Sequence, residues 1–126
     1  MTAKDAAALF QQHRDELGFV NRAQCQEKDL YTEYVDGEIA GAALGNHCVR
    51  KPQTTLYELA VSESHRRNGI AETLVSRMAN DSPHEKLIAK CPVDLPANNF
   101  YASTGWEKID TEDGKQRDLH VWRLML

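Results

Sequence analysis

The sequence predicts an α/β (α+β) fold, a central mixed and mostly antiparallel sheet flanked by helices, on three observations. Apolar residues recur with helical spacing in separate stretches; two pairs of strand-like segments flank turns containing Asp-Gly; and one apolar strand runs into a helix rather than a hairpin. The chain of 126 residues is long enough to bury one core without disulfide or metal staples, so residues 1–126 are expected to form a single domain.

The elements follow in order. Ala6, Phe10, His13 and Leu17 share one helical face with Leu9 beside them, Thr2 and Asp5 have the spacing of a capping box, and Gly18 is placed to end the helix. "DLYTEYV" and "EIAGAALG" flank Asp36-Gly37, whose tolerance of left-handed backbone favours a tight hairpin. A looser segment through Lys51-Pro52 leads to "TTLYELAV", a strand apolar enough to be covered on both faces. Ile70, Leu74, Val75 and Met78 then mark a helix that begins near Gly69. "KLIAKCPV" reads as a strand, and "LPANNFYAST" as a short helix with Asp94 as N-cap, Pro96 in its first turn and Gly105 as terminator. "WEKID" and "LHVWRLML" close the chain as two strands joined around Glu112-Asp113-Gly114. The apolar "VWRLML" could pair across a homodimer.

Composition narrows the function classes. Hydrophobic residues make up 41% and charged residues 27%, an ordinary globular balance that argues against disorder. No run approaches the ~18 apolar residues of a membrane helix, and the N-terminus lacks a basic-then-apolar leader pattern, so a cytoplasmic location is expected. The net charge of −4 argues against a nucleic-acid partner, which calls for a basic face, and suits a cationic substrate slightly better. Cys25, Cys48 and Cys91 are far apart and odd in number, which suggests free thiols. The histidines show no paired spacing, so no metal is expected.

The stretch "YELAVSESHRRNGIAETLV" carries the chemistry. A strand that enters a short polar loop and then a helix presents several backbone N–H groups and the positive end of the helix dipole, an arrangement that attracts anions. Arg66 and Arg67 add charge there, while Gly69 and Ala71 keep side chains out of the way of a phosphate. Taken alone, the same residues fit solvated loop arginines and a turn glycine better than a phosphate site. Neither a Walker loop nor a dinucleotide GxGxxG fingerprint is present.

A second segment removes that isolation. "AVSESHRRNGIAETLV" resembles the coenzyme A loop and helix of the GCN5-related N-acetyltransferases, with Arg66, Gly69 and Ala71 on the fixed positions of Q/R-x-x-G-x-G/A. "ANNFYASTGW" resembles the "N…FY…GF" segment of the same superfamily, with Trp106 in place of Phe, and "KCPVDLPANNFYASTGWEKI" is similar to short members carried by phages and prophages. The resemblance covers about residues 30–126. Before it, one helix stands where many members have two.

The resemblance implies an acetyl-CoA-dependent enzyme in which an amine attacks the thioester directly, so Cys91 is not required as a nucleophile. Leu59, Ala60 and Val61 would offer main-chain contacts to the pantetheine. The N–H groups of Arg66, Arg67, Asn68, Gly69, Ile70 and Ala71 would hold the pyrophosphate, and Asn98 would bond the pantetheine or cap local backbone. Tyr101 falls on the tyrosine that donates a proton to the leaving thiolate, unless it is simply a core aromatic. Glu58, a carboxylate in an otherwise apolar strand, is the candidate base, with an exposed position or an arginine partner as the alternative. The acceptor is a small amine, a protein lysine or an N-terminus, with Glu33, Asp36 and Glu38 as a possible cation-attracting rim. The alternative from another class is a module that keeps the acyl-CoA pocket without turnover.

Overall fold

A computed structural model describes residues 2–12, 29–114 and 117–126. Its elements are α1 (Thr2–Gln12), β1 (Asp29–Val35), β2 (Glu38–His47), β3 (Thr54–Val61), a 3-10 turn (Glu63–His65), α2 (Ile70–Asp81), β4 (Lys86–Pro92), α3 (Ala97–Ser103), β5 (Glu107–Glu112) and β6 (Leu119–Met125). The six strands form one mixed sheet in the order β1-β2-β3-β4-β6-β5. The β1/β2, β4/β6 and β5/β6 pairs are antiparallel and β3/β4 is parallel, as expected where a helix rather than a hairpin joins two strands.

The chain groups into two compact units, Met1–Asn46 with Tyr57–Asp81 and His47–Leu56 with Ser82–Leu126. In the first, Ala6, Ala7, Leu9 and Phe10 of α1 pack with Ala42 and Leu44 of β2 and Ala60 of β3. His13, Leu17 and Gly18, expected to continue and close this helix, lie outside the described residues, as does Cys25. Thr2 is the first residue of the helix, and the Asp5 carboxylate accepts a bond from the Tyr34 hydroxyl at 2.9 Å.

Asp36 (φ 51°) and Gly37 (φ 81°) are both left-handed, the backbone of the two-residue hairpin the dipeptide predicted. Beyond it the register slips once: Tyr34 faces Ile39, but Glu33 faces Gly41. Ala40 is therefore a bulge residue, and Ile39 turns to the same side as Ala42 and Leu44, against the α1 cluster. Gly41 points the other way. A Cβ there would stand 2.6 Å from Ile70 Cγ2 and 3.2 Å from the Ala60 carbonyl, so only glycine lets the first turn of α2 lie this close to the sheet. Farther along α2, Arg77 sits over the Tyr31 ring at 5.6 Å and donates to the Thr32 carbonyl at 2.6 Å, while Tyr31 donates to Asp81 at 2.9 Å. Both ends of α2 are thus registered on strands.

In the second unit, Leu87, Ile88 and Ala89 are buried in succession, the mark of an interior strand. β6 runs between β4 and β5, pairing Lys86–Met125 through Pro92–Leu119 on one side and Glu107–Arg123 through Glu112–Leu119 on the other. The expected pairing of "VWRLML" across a dimer is therefore corrected: both edges of that strand are already bonded within the chain. Asp94 is a second correction. α3 begins after Pro96 with no side-chain cap, and the Asp94 carboxylate instead pairs with Arg117 at 3.3 Å.

Candidate functional site

The first unit holds the predicted anion turn. After β3 the chain makes the 3-10 turn, in which His65 N–H donates to the Ser62 carbonyl at 2.9 Å, and then reaches α2 through Arg66–Gly69. Arg67 (φ 68°) and Gly69 (φ 74°) are both left-handed, while Arg66 is extended. Left-handed residues in a short turn are a backbone setting in which neighbouring N–H groups can converge on an anion. Among the described residues, the N–H groups of Arg67, Asn68, Gly69, Ile70 and Ala71 meet no backbone acceptor; the first helical N–H to find one is Thr73, bonded to the Gly69 carbonyl at 3.0 Å. Open space surrounds the Gly69 Cα: an added Cβ would meet no protein atom within 4 Å. The Arg66 guanidinium donates back to the Val61 carbonyl at 3.4 Å, and the Arg67 side chain is exposed.

Immediately upstream lie Glu58, Leu59, Ala60 and Val61. Alternation along β3 puts Glu58 on the same side as Leu56 and Ala60, both buried, with Leu59 and Val61 on the other side. Burial pushes the Glu58 carboxyl from 4.5 up to about 8, and among the described residues no cation offsets it. A carboxyl in that range exchanges its proton near physiological pH, which an ordinary glutamate does not. Of the proposed acidic rim, Glu33 is tied to Arg77 at 3.2 Å, while Asp36 and Glu38 occupy the exposed hairpin.

The second unit holds Asn98 and Tyr101. α3 closes with the geometry its sequence called for: Gly105 is left-handed at φ 92°, and Trp106 N–H reaches back to the Tyr101 carbonyl at 3.2 Å. This reversal lays the Trp106 ring edge-on against Tyr101, with centroids 5.0 Å apart, while Trp122 of β6 stacks on Tyr101 at 5.9 Å and 28°. Phe100 adds an edge contact at 5.5 Å. Tyr101 is buried. The Asn98 amide donates to the carbonyls of Pro92 at 2.9 Å, Leu95 at 3.0 Å and Val93 at 3.3 Å, and its oxygen accepts from Trp122 Nε1 at 2.9 Å. Of the two roles the sequence allowed it, Asn98 fills the local-backbone one; its side-chain donors are committed to the loop before α3.

Two contributors escaped the sequence. Gly41 seats the start of α2, and a glycine inside an apolar strand was the available signal. Trp122 frames Tyr101, but a tryptophan in a terminal strand carries no local mark of what it will stack on. Cys91 is buried, with its Sγ near the Pro92 carbonyl at 3.6 Å. Among the described residues no group of His, Cys, Asp and Glu side chains could hold a metal ion, and no helix is long and apolar enough to cross a membrane.

The chain matches the model of the acetyltransferase (GNAT) family over residues 3–106. Among solved structures it is similar to a Desulfovibrio desulfuricans protein assigned to the GNAT family of acetyltransferases, at 17% identity and TM-score 0.80, over 99% of this chain and 95% of that one. It is also similar to N-acetylglutamate synthase from Neisseria gonorrhoeae, solved with coenzyme A and N-acetyl-glutamate, at 17% identity and TM-score 0.81, over 96% of this chain and 32% of that one. A third is the ribosomal-protein-S18-alanine N-acetyltransferase from Escherichia coli, at 16% identity and TM-score 0.73, over 99% and 89%. No curated protein sequence matches the chain. Across most of its length, and with the strand order and turn geometry described above, the chain belongs to the GNAT family of acetyltransferases.

Proposed function

We propose that this protein transfers an acetyl group from acetyl-CoA to a primary amine by direct attack. The acceptor is a small amine, a protein lysine or a protein N-terminus. Family membership supports the acyl transfer, and the coenzyme A bound by the Neisseria relative supports the donor. The observation that carries the reading is Glu58, a carboxyl with its pKa raised to about 8 on the strand that runs directly into the anion-binding turn.

The residues divide the work by chemistry. The N–H groups from Arg67 through Ala71 hold the pyrophosphate, with each bond strengthened by the ligand's charge, whereas the Arg66 N–H, also expected among them, is turned back to the Glu63 carbonyl at 3.5 Å. The main chain of Leu59, Ala60 and Val61 pairs with the pantetheine as an added strand would. An amine with a pKa near 10.4 enters mostly protonated, and Glu58, directly or through water, takes the proton that must leave before or during attack. A carboxylate at about 8 matches that amine far better than one at 4.5. Tyr101 donates a proton to the departing sulfur. Acetyl-CoA supplies the reactive thioester together with the pyrophosphate and pantetheine by which it is held.

Two measurements test this. Acetyl-CoA is expected to raise the melting temperature, since a ligand that binds only the folded chain stabilises it; no shift at saturating concentration overturns the donor. Thiol release from acetyl-CoA is then expected with at least one member of an amine and peptide panel. Binding without release from any acceptor would favour the non-catalytic module instead.

A further inference from the structure

We infer that Trp122, held by Asn98, is a positioning residue for the proton donor Tyr101; this rests on the reading of Tyr101 given above. The Asn98 amide can face only one way. Its nitrogen lies within 2.9–3.3 Å of three carbonyl oxygens, so its oxygen must point to the Trp122 N–H, 2.9 Å away. A flipped amide would set its oxygen against those carbonyls and its hydrogens against the indole N–H.

The consequence passes to Trp122. An indole ring with its one polar atom bonded to a fixed acceptor has little freedom to tilt or turn over. Tyr101 stacks on that ring at 5.9 Å and 28° and meets the Trp106 edge at 5.0 Å. The phenol is gripped on a face and an edge, and Trp122 fixes its ring plane, in which conjugation keeps the donating O–H bond. Packing alone would be satisfied by any large apolar side chain at this place on β6. The hydrogen bond adds orientation, and proton donation depends on orientation because misplaced groups lose rate steeply.

The test is a double-variant cycle on the full chain. It is read as thiol release from acetyl-CoA with the best acceptor of the panel, or with water if none is found. Trp122→Phe keeps an aromatic ring and removes the N–H. It is expected to lower kcat about tenfold while the KM for acetyl-CoA and the ligand-induced melting shift stay as in the parent. Tyr101→Phe is expected to lower kcat by about a hundredfold. In the Tyr101→Phe background, Trp122→Phe should cost nothing further, because the group it positions is gone. Effects that multiply in the double variant, or a Trp122→Phe within twofold of the parent, overturn the positioning role. A Tyr101→Phe that turns over normally overturns both it and the proton-donor assignment, so the two failures are told apart. Should Trp122→Phe not fold, Asn98→Ala, which leaves the indole without its acceptor, takes its place in the same cycle with the same expectations.

Discussion

The turn that opens α2 and the helix α3 that carries Tyr101 are built on opposite principles. The turn is a backbone device: Arg67 and Gly69 hold left-handed angles, their N–H groups lack protein partners among the described residues, and the Arg67 side chain is exposed. α3 is a side-chain device, in which Tyr101 is buried among Trp106, Trp122 and Phe100, and Asn98 is bonded at both ends of its amide. Under the proposed function, a turn that grips a charged group common to every turnover can rely on main-chain donors, which substitution does not remove. A site that places one hydroxyl needs shape, and shape comes from side chains.

The contrast can be broken most sharply at Gly69. Gly69→Val is expected to abolish the acetyl-CoA melting shift while costing only about 1–2 kcal/mol of stability, because the penalty is the left-handed angle and not a clash. Urea unfolding and ligand titration separate the two effects. Gly41→Val attacks the same turn from the sheet side; its Cβ would meet Ile70 at 2.6 Å, and overpacking of this kind is expected to cost about 3 kcal/mol in urea unfolding.

Glu58 makes the comparison pH-dependent. Its folded pKa of about 8 lies above the unfolded value of 4.5, so the folded chain holds the proton more tightly. Its contribution is intact below pH 4.5 and is lost as the pH rises through 8, where the buried carboxylate must ionise. Glu58→Gln removes the ionisation and is expected to be no more stable than the parent at pH 4 but more stable at pH 9, by on the order of 2 kcal/mol in urea unfolding. The parent is expected to gain kcat/KM as the pH approaches 8, and the same variant should lose that rise.

Smaller effects sharpen the contrast. Gly105→Ala forces a side chain into a left-handed cap and is expected to cost about 1 kcal/mol and slow transfer, since the same reversal sets Trp106 on Tyr101. Arg67→Gly should instead gain up to about 1 kcal/mol, relieving a non-glycine left-handed residue, and should keep the acetyl-CoA shift if the backbone carries the grip. Loss of the shift in Arg67→Gly would move the grip from backbone to guanidinium.

Signals written in neighbouring residues were legible. Asp36-Gly37 announced its hairpin, β1 and β3 span the segments DLYTEYV and TTLYELAV read for them, and the Ile70–Met78 spacing located α2. The turn into α2 was readable for the same reason: a strand, a glycine and a helix start lie within a dozen residues. What went unread depends on partners distant in the chain. The bulge at Ala40 is not visible in residues 38–47 alone, because it exists only against β1.

 Ala40 becomes the extra residue only when Glu33 and Tyr34 of β1 choose their partners, and that choice turns Ile39 toward α1. Asp94 looked like a cap until Arg117, far along the chain, offered it an ion pair.

The sequence by itself determined the order and kind of the described elements, the hairpin at Asp36-Gly37, the glycine-led turn into α2 and the helix stop at Gly105. Each of these follows from local steric limits and periodicity, which a few adjacent residues express in full. Only the tertiary structure decided that β6 is interior, that Gly41 is the seat of α2, that Asn98 holds Trp122, and that Glu58 keeps its proton to about pH 8. Those outcomes are set by neighbours brought together through space, since burial, stacking and desolvation belong to an environment and not to a residue.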